Sequence, residues 1–314
     1  MGANRILVIK HGALGDIIQG LDSFSALRKG HPDAHIALLT TRPFAELAGL
    51  MPWFDEIIID GRVPFFNVRA TLQIRALFHR GWNMIIDQQC SSRTNKYHQL
   101  LAPRTVNWFG TAKGASHPYP DFTGVNNNQR MLVAARMAGG IDGDASDNAM
   151  DWLDGAVGDM AFKMPAKAAI LVPGCSPAKP QKRWHVTRFA ALAEALQKAG
   201  HNVVIVGTNA ERATVDELIA AAPFCHDFVG KTSLAQLAAL LRRGDLVVGN
   251  DTGPVFLAAR TGVPTIMVMG ADTDPSMSAP TGANCGWVRG TAIDDVTPQQ
   301  VLEKAGEMGV SLSG

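Results

Sequence analysis

Short, continuous apolar runs recur along the chain. RILVIK (Arg5–Lys10), HIALLT (His35–Thr40), EIIID (Glu56–Asp60) and NMIID (Asn83–Asp87) each read as a strand buried on both faces. The segments between them are long enough for helices, and strands alternating with helices predict a parallel sheet covered on both sides. The pattern fades from about Gly140 to Lys167, around DGDASDNAMDWLDG, as expected at a domain boundary. A second series follows: AAILVPG (Ala168–Gly174), NVVIVG (Asn202–Gly207), DLVVGN (Asp245–Asn250) and TIMVMG (Thr265–Gly270). Ser233 and Gln236 form a capping box ahead of an apolar stripe at Leu234, Leu237 and Leu241. Thr297-Pro298 opens a last helix. The expectation is an α/β chain of two successive halves, residues 1–155 and 156–314, with a ligand cleft between them.

Composition changes this picture little. The 314 residues are 46% hydrophobic and 18% charged, with a net charge of +1. That is an ordinary globular balance, with no basic excess to suggest nucleic acid. Four cysteines, Cys90, Cys175, Cys225 and Cys285, stand far apart with no CxxC pair, so a zinc site is not expected. No charged-then-apolar leader precedes Ile6 and no long apolar run occurs. These features predict a cytoplasmic enzyme with reduced, buried thiols.

The chemistry concentrates where strands end. In GNDTGPVFLAARTGVPTIMVMG (Gly249–Gly270), a strand runs into Asn250-Asp251-Thr252-Gly253 and then a helix starting near Pro254. Ligands of open α/β sheets bind at the carboxyl ends of strands. Backbone N–H groups of Thr252, Gly253 and Val255, with the helix dipole behind them, would make an anion site. Asp251 would repel a phosphate directly; capping the helix, accepting sugar hydroxyls or orienting a cation suits it better. The plain alternative is a helix cap without a ligand. PGCSPAKPQKRWHVTRF (Pro173–Phe189) brings Lys179, Lys182 and Arg183 to another strand end, where cations suit a diphosphate leaving group; alternatively it is a solvated basic loop. Glu211, in GTNAER after a third strand, is a candidate acceptor for ribose hydroxyls or simply exposed. In KHGALGDIIQG (Lys10–Gly20) the glycine spacing is not GxGxxG, which argues against a dinucleotide fold. Asp16 sits there at a strand-to-helix junction, as a helix cap or a general base.

Together these blocks resemble glycosyltransferase family nine, best known for ADP-heptose:lipopolysaccharide heptosyltransferases. ILVIKHGALGDIIQ, PGCSPAKPQKRWHVTRF and GKTSLAQLAALLRRGDLVVGNDTGPVFLAARTGVPTIMVMG occur in the family's order, and NDTGP is the most specific block. The resemblance implies the GT-B architecture: two Rossmann-like domains whose parallel sheets face across a cleft. The acceptor would bind the first domain and the ADP-sugar the second, with the last helix able to pack back on the first. It implies no metal and no cofactor. Carried onto this sequence, it makes Asp16 the catalytic base and Lys182 the main cation on the diphosphate. Ser176, Thr187, Glu211, Asp251, Thr252 and Gly253 complete the donor side, Asp251 facing the sugar or holding Lys182. Gly15, Gln88, Ser91 and Arg93 fall on the acceptor side, the last three in IIDQQCSSR. ADTDPSMSAP (Ala271–Pro280) matches a donor-side loop, so its Asp272 and Asp274 are not read as a metal-binding DxD. Phe256 stands where members often carry histidine, and Gln19 where many carry histidine or a small residue.

The implied function is an inverting transfer of heptose, or a related sugar, from an ADP-sugar to a lipopolysaccharide-core or similar glycan acceptor. The competing readings are a nucleotide-sugar epimerase or hydrolase of the same architecture, and a non-catalytic binder. GRVPFFNVRATLQIRALFHRGW (Gly61–Trp82) mixes five cationic or titratable positions with Phe65, Phe66 and Phe78. It reads either as a loop and surface helix with core contacts or as a patch for anionic lipid, at the inner face of the cytoplasmic membrane.

Overall fold

The computed structural model describes residues 4–143, 150–153, 164–176 and 179–312. The chain divides into two compact units, 1–148 and 149–314. Much of the expected boundary segment lies outside the described residues.

The first unit holds β1 (Arg5–Ile9), β2 (His35–Thr40), β3 (Glu56–Ile59), β4 (Met84–Asp87), β5 (Asn107–Gly110) and β6 (His117–Pro118). They form one sheet in the order β3-β2-β1-β4-β5-β6, every pair parallel. The second unit holds β7 (Ala168–Val172), β8 (Asn202–Ile205), β9 (His226–Asp227), β10 (Leu246–Asn250), β11 (Thr265–Met269) and β12 (Cys285–Arg289). Its parallel sheet runs β12-β11-β10-β7-β8-β9.

Both units therefore share one winding. The chain lays three strands outward to one side, returns beside the first, and lays three to the other. The connections leave β1 and β4, and likewise β7 and β10, in opposite directions. A crevice opens where neighbouring connections part, at the carboxyl ends of those strands. The central strands are buried on both faces: Ile6 to Ile9 pair with β2 and β4 and are fully inaccessible, which is why they read as unbroken apolar runs.

Four strands had no such signal. β6 and β9 are two-residue edge pairings, β5 is the short NWFG, and β12 is partly solvent-facing. The helix Pro298–Glu307, set down above as able to pack back on the first domain, buries Val301 and Ala305 in the core of the second unit against β12 and the helix Val186–Lys198. Of the thiols, Cys175 and Cys225 are buried, but Cys90 and Cys285 are only half-buried, a correction to the expectation of four buried thiols.

Candidate functional site

In the second unit, the loops after β7 and β10 are joined by Asn250. Its side chain is fully buried. Nδ2 donates to the carbonyls of Pro173 and Gly174 at 2.8 and 3.2 Å, and Oδ1 accepts from Trp184 N–H at 3.0 Å. A buried carboxamide with both ends satisfied fixes two strand ends at once. Trp184, itself buried, anchors its indole N–H on the Val296 carbonyl at 2.9 Å.

This scaffold presents Lys182 and Asp251. The Lys182 ammonium forms an ion pair with Asp251 Oδ2, which also accepts the Thr273 hydroxyl at 2.9 Å. The Lys182 and Asp251 side chains are 18% and 8% exposed, so the pair is held yet reachable. Of the roles open to Asp251, orienting a cation is the one observed; the N-cap of helix Gly253–Arg260 is Thr252, without a side-chain cap bond. Among the described residues, the N–H groups of Thr252 and Gly253 meet no acceptor. The expectation for Val255 was wrong: its N–H already bonds the Thr252 carbonyl at 3.0 Å. The helix closes at Gly262, whose φ of +83° places it in the left-handed region a C-terminal glycine serves.

Other donor-side expectations fare unevenly. Ser176 is exposed on the loop after β7. The Thr187 hydroxyl is engaged with His185 Nδ1 at 2.9 Å at the start of its helix. Glu211 closes its own turn, with Oε2 accepting from Thr208 N–H at 2.6 Å, while Oε1 lies against Gly174. Arg183 is half-buried, and its Nε has no partner among the described residues. Asp274 caps a short helix through Ser276 at 2.9 Å, and Asp272 is exposed. Thr273, between them, is the residue that reaches inward to Asp251. Phe256 is buried, as are the four residues that flank it in the helix, Val255 and Leu257 to Ala259. An aromatic ring there satisfies packing where a histidine would need a partner.

The first unit's crevice, after β1 and β4, is built differently. The loop after β1 turns at Gly12, with φ +106°, where a Cβ would fall 2.1 Å from the Phe44 ring. Helix Leu14–Ile18 then carries Asp16, half-buried, with Oδ1 accepting from Asn127 Nδ2 at 3.2 Å. Beneath it lies Lys10, 1% exposed, donating to the Gln88 carbonyl at 3.2 Å. Burial lowers its pKa, and the Asp16 charge opposes that shift. Burial likewise raises Asp87, and pushes the Cys90 thiol up to about 12.

Beside this, His11, Asp60, Tyr97 and Arg93 form a chain. His11 Nε2 lies 3.0 Å from Asp60 Oδ2, which also accepts the Tyr97 hydroxyl at 2.5 Å; Arg93 Nε donates to that hydroxyl at 2.5 Å. Burial opposes the Asp60 charge, but hydrogen bonds from His11, Tyr97 and Arg62 N–H outweigh it and hold the carboxyl at about 2. Arg93 and Tyr97 line a cavity of about 310 Å³ with Phe65, Ile74 and Leu77. Arg93 thus stands at an opening, whereas the side chains of Gln88 and Ser91 are engaged within the protein. Gln88 is 1% exposed and binds Ser23 Oγ in the core. Ser91 caps helix Ser92–Lys96 in a capping box with Thr94. Gly15 is half-buried in the first turn of the Asp16 helix, where its carbonyl accepts from Gln19.

Lys10, Asn127, Arg130 and Thr273 escaped the sequence reading. The faint signals were a lysine ending an apolar strand run and the triple asparagine before a helical stretch.

Residues 125–304 match the family described as glycosyltransferase family 9 (heptosyltransferase), more than half of the chain. The chain belongs to glycosyltransferase family 9. The Asp16 loop precedes the matched span. One curated relative is lipooligosaccharide heptosyltransferase 2 of Haemophilus influenzae, 28% identical over 152 residues, which are 41% of this chain and 44% of that protein. Lipopolysaccharide heptosyltransferase 2 of Escherichia coli is 28% identical over 147 residues, 40% of this chain and 42% of that one. The chain thus spans less than half the length of the curated relatives it matches. The structure of E. coli heptosyltransferase WaaC with ADP superposes with a TM-score of 0.79 at 18% identity, covering 97% of this chain and 99% of that chain. At this identity the likeness speaks for the fold, and the fold of this family 9 member is GT-B.

Proposed function

We propose that this chain transfers a heptose, or a closely related sugar, from an ADP-sugar to a hydroxyl of a lipopolysaccharide-core or similar glycan acceptor, inverting the anomeric carbon. The observation that carries the reading is the Lys182–Asp251–Thr273 arrangement beside the unengaged amides of Thr252 and Gly253. An ammonium and a helix N-terminus converging on one strand switch point are what a diphosphate requires. The family membership and the relatives' names support heptose as the sugar and ADP as the nucleotide.

In the proposed step the acceptor oxygen attacks the anomeric carbon as its bond to the diphosphate oxygen breaks. ADP departs with the bonding electrons. Lys182 and the Thr252 and Gly253 amides receive the charge that grows on it; one preorganised donor of this kind is typically worth about 3–4 kcal/mol. Asp16 takes the acceptor proton. The cationic duty falls to Lys182, so the reaction as drawn needs no divalent ion, and excess chelator is expected to leave turnover unchanged. A loss restored only by a divalent ion would contradict this.

The reading places the enzyme in the cytoplasm, in contact with the inner face of the membrane. Phe66, Val68 and Leu72 are 86%, 68% and 58% exposed, and Arg62, Arg69 and Arg75 are exposed among them. Helix Val68–Phe78 meets its core needs with Leu77 and Phe78. Apolar side chains among arginines suit an anionic lipid surface. No described helix is long and apolar enough to cross a membrane.

The testing experiment follows ADP release from ADP-heptose with and without a lipid-core acceptor. The transferase reading expects acceptor-dependent release. Equal release without acceptor would indicate a hydrolase, altered sugar without release an epimerase, and neither a binder.

A further inference from the structure

Three consecutive asparagines open the helix Asn127–Met137, and each does something different. Asn126 caps it, its side chain accepting from Asn128 N–H at 2.9 Å. Asn128 donates to the Gln19 carbonyl at 2.9 Å and to Asp22 Oδ2 at 2.7 Å, tying this helix to the segment that follows Asp16. Asn127 donates to Asp16 Oδ1 at 3.2 Å and accepts from Arg130 Nη2 at 2.5 Å.

A carboxamide has one accepting end and one donating end. Arg130, three residues along the same helix, can only donate, so it selects Oδ1 of Asn127. The amide group is thereby turned toward Asp16. One carboxylate oxygen of Asp16 is then engaged, and Oδ2 meets no hydrogen-bond partner among the described residues. Two side chains from a distant helix thus set the rotation of a carboxylate that its own short helix holds only by its backbone.

We propose that Asn127, oriented by Arg130, is a positioning residue for Asp16, holding it so that Oδ2 faces the acceptor hydroxyl. The proposal rests on the reading of Asp16 as the base. Its effect belongs to the chemical step: a carboxylate free to rotate still allows both substrates to bind but meets the hydroxyl less often in line. A contact needed only for packing would lower stability and leave kcat alone.

Asn127→Asp separates these. It keeps the shape and can still accept from Arg130, and a carboxylate is favourable at a helix N-terminus. Ionised, it cannot donate to Asp16, and its charge repels that carboxylate, so kcat is compared on the high-pH plateau where both carboxylates are ionised. The expected result is a kcat lower by about tenfold or more, with KM for ADP-sugar and acceptor changed by about twofold or less. Arg130→Gln loosens the same chain from its far end. It is expected to lower kcat in the same sense by a smaller factor, and it carries the test should Asn127→Asp melt early. Wild-type kcat in both variants, or an effect confined to KM, would overturn the proposal while leaving Asp16 as base, provided Asp16→Asn remains slow. Asp16→Asn turning over at the wild-type rate would instead overturn the base itself and the positioning role with it.

Discussion

The two strand-end crevices share a topology and differ in how they hold charge. After β7 and β10, the cation is reachable: Lys182 pairs with Asp251 at the surface of a scaffold clamped by Asn250. After β1 and β4, the charges lie inward. Lys10 and Asp87 are buried, His11 and Asp60 are tied to each other, and Asp16 is left half-exposed with one oxygen held. A mobile diphosphate needs a cation it can meet and leave. A proton acceptor needs one carboxylate in one orientation. On the proposed function the same winding accommodates both, because the crevice is set by strand order and the side chains placed in it differ.

The comparison is broken most severely at Asp16. Asp16→Asn retains shape and can still accept a hydrogen bond, but it cannot take a proton, so sugar transfer should fall by about 10²–10⁴-fold with melting temperature little changed. Transfer at the normal rate in a folded variant would remove the catalytic role from the first crevice. Lys182→Ala should come next, lowering turnover by about a hundredfold or more at saturating donor. A rate equal to wild type there would leave the second crevice without its charge argument.

How far the fold and the candidate site were legible depends on range. Eight strands announced themselves as short apolar runs, most clearly where burial on both faces demands an uninterrupted apolar stretch, as in ILVI of β1. The edge strands β6 and β9 bury too little to leave a pattern. In the site, Lys182, Asp251 and Gly253 were readable because a strand, a polar junction and a helix start are contiguous. Contacts such as Asn127 to Asp16, 111 residues apart, leave only a faint local trace, here the triple asparagine before a helical stretch. Gln88 and Ser91 show the opposite difficulty: polar residues after a strand are as readily used to fasten the loop, through Ser23 and Thr94, as to meet a ligand.

Two smaller effects sharpen the contrast between inward and outward charge. Asp60→Asn should destabilise the first unit by about 1–3 kcal/mol, because it weakens acceptance from His11 and Tyr97 in a buried place. The sign with pH follows from a carboxyl held at about 2 in the folded protein, against about 3.9 unfolded. Its stabilisation is complete above the unfolded value and is lost as pH falls toward and through about 2. Acid titration of the melting temperature should therefore show a shallower decline in Asp60→Asn than in wild type over that window. An unchanged decline would mean that the His11–Asp60–Tyr97 chain does not carry this stability. Thr273→Val should be milder still, since it removes one neutral donor from Asp251: about 0.5–1.5 kcal/mol in kcat/KM for the donor. No change in kcat/KM would leave Thr273 a loop residue and nothing more.

The division of labour itself is tested most directly by titrating ADP into wild type, Asp16→Asn and Lys182→Ala by calorimetry. If the second crevice holds the diphosphate and the first serves the acceptor, Asp16→Asn should bind ADP within about twofold of wild type, whereas Lys182→Ala should bind about tenfold or more weakly through loss of a charge-assisted contact. Equal loss of ADP affinity in both variants, or normal affinity in Lys182→Ala, would contradict the assignment of the two crevices to separate tasks.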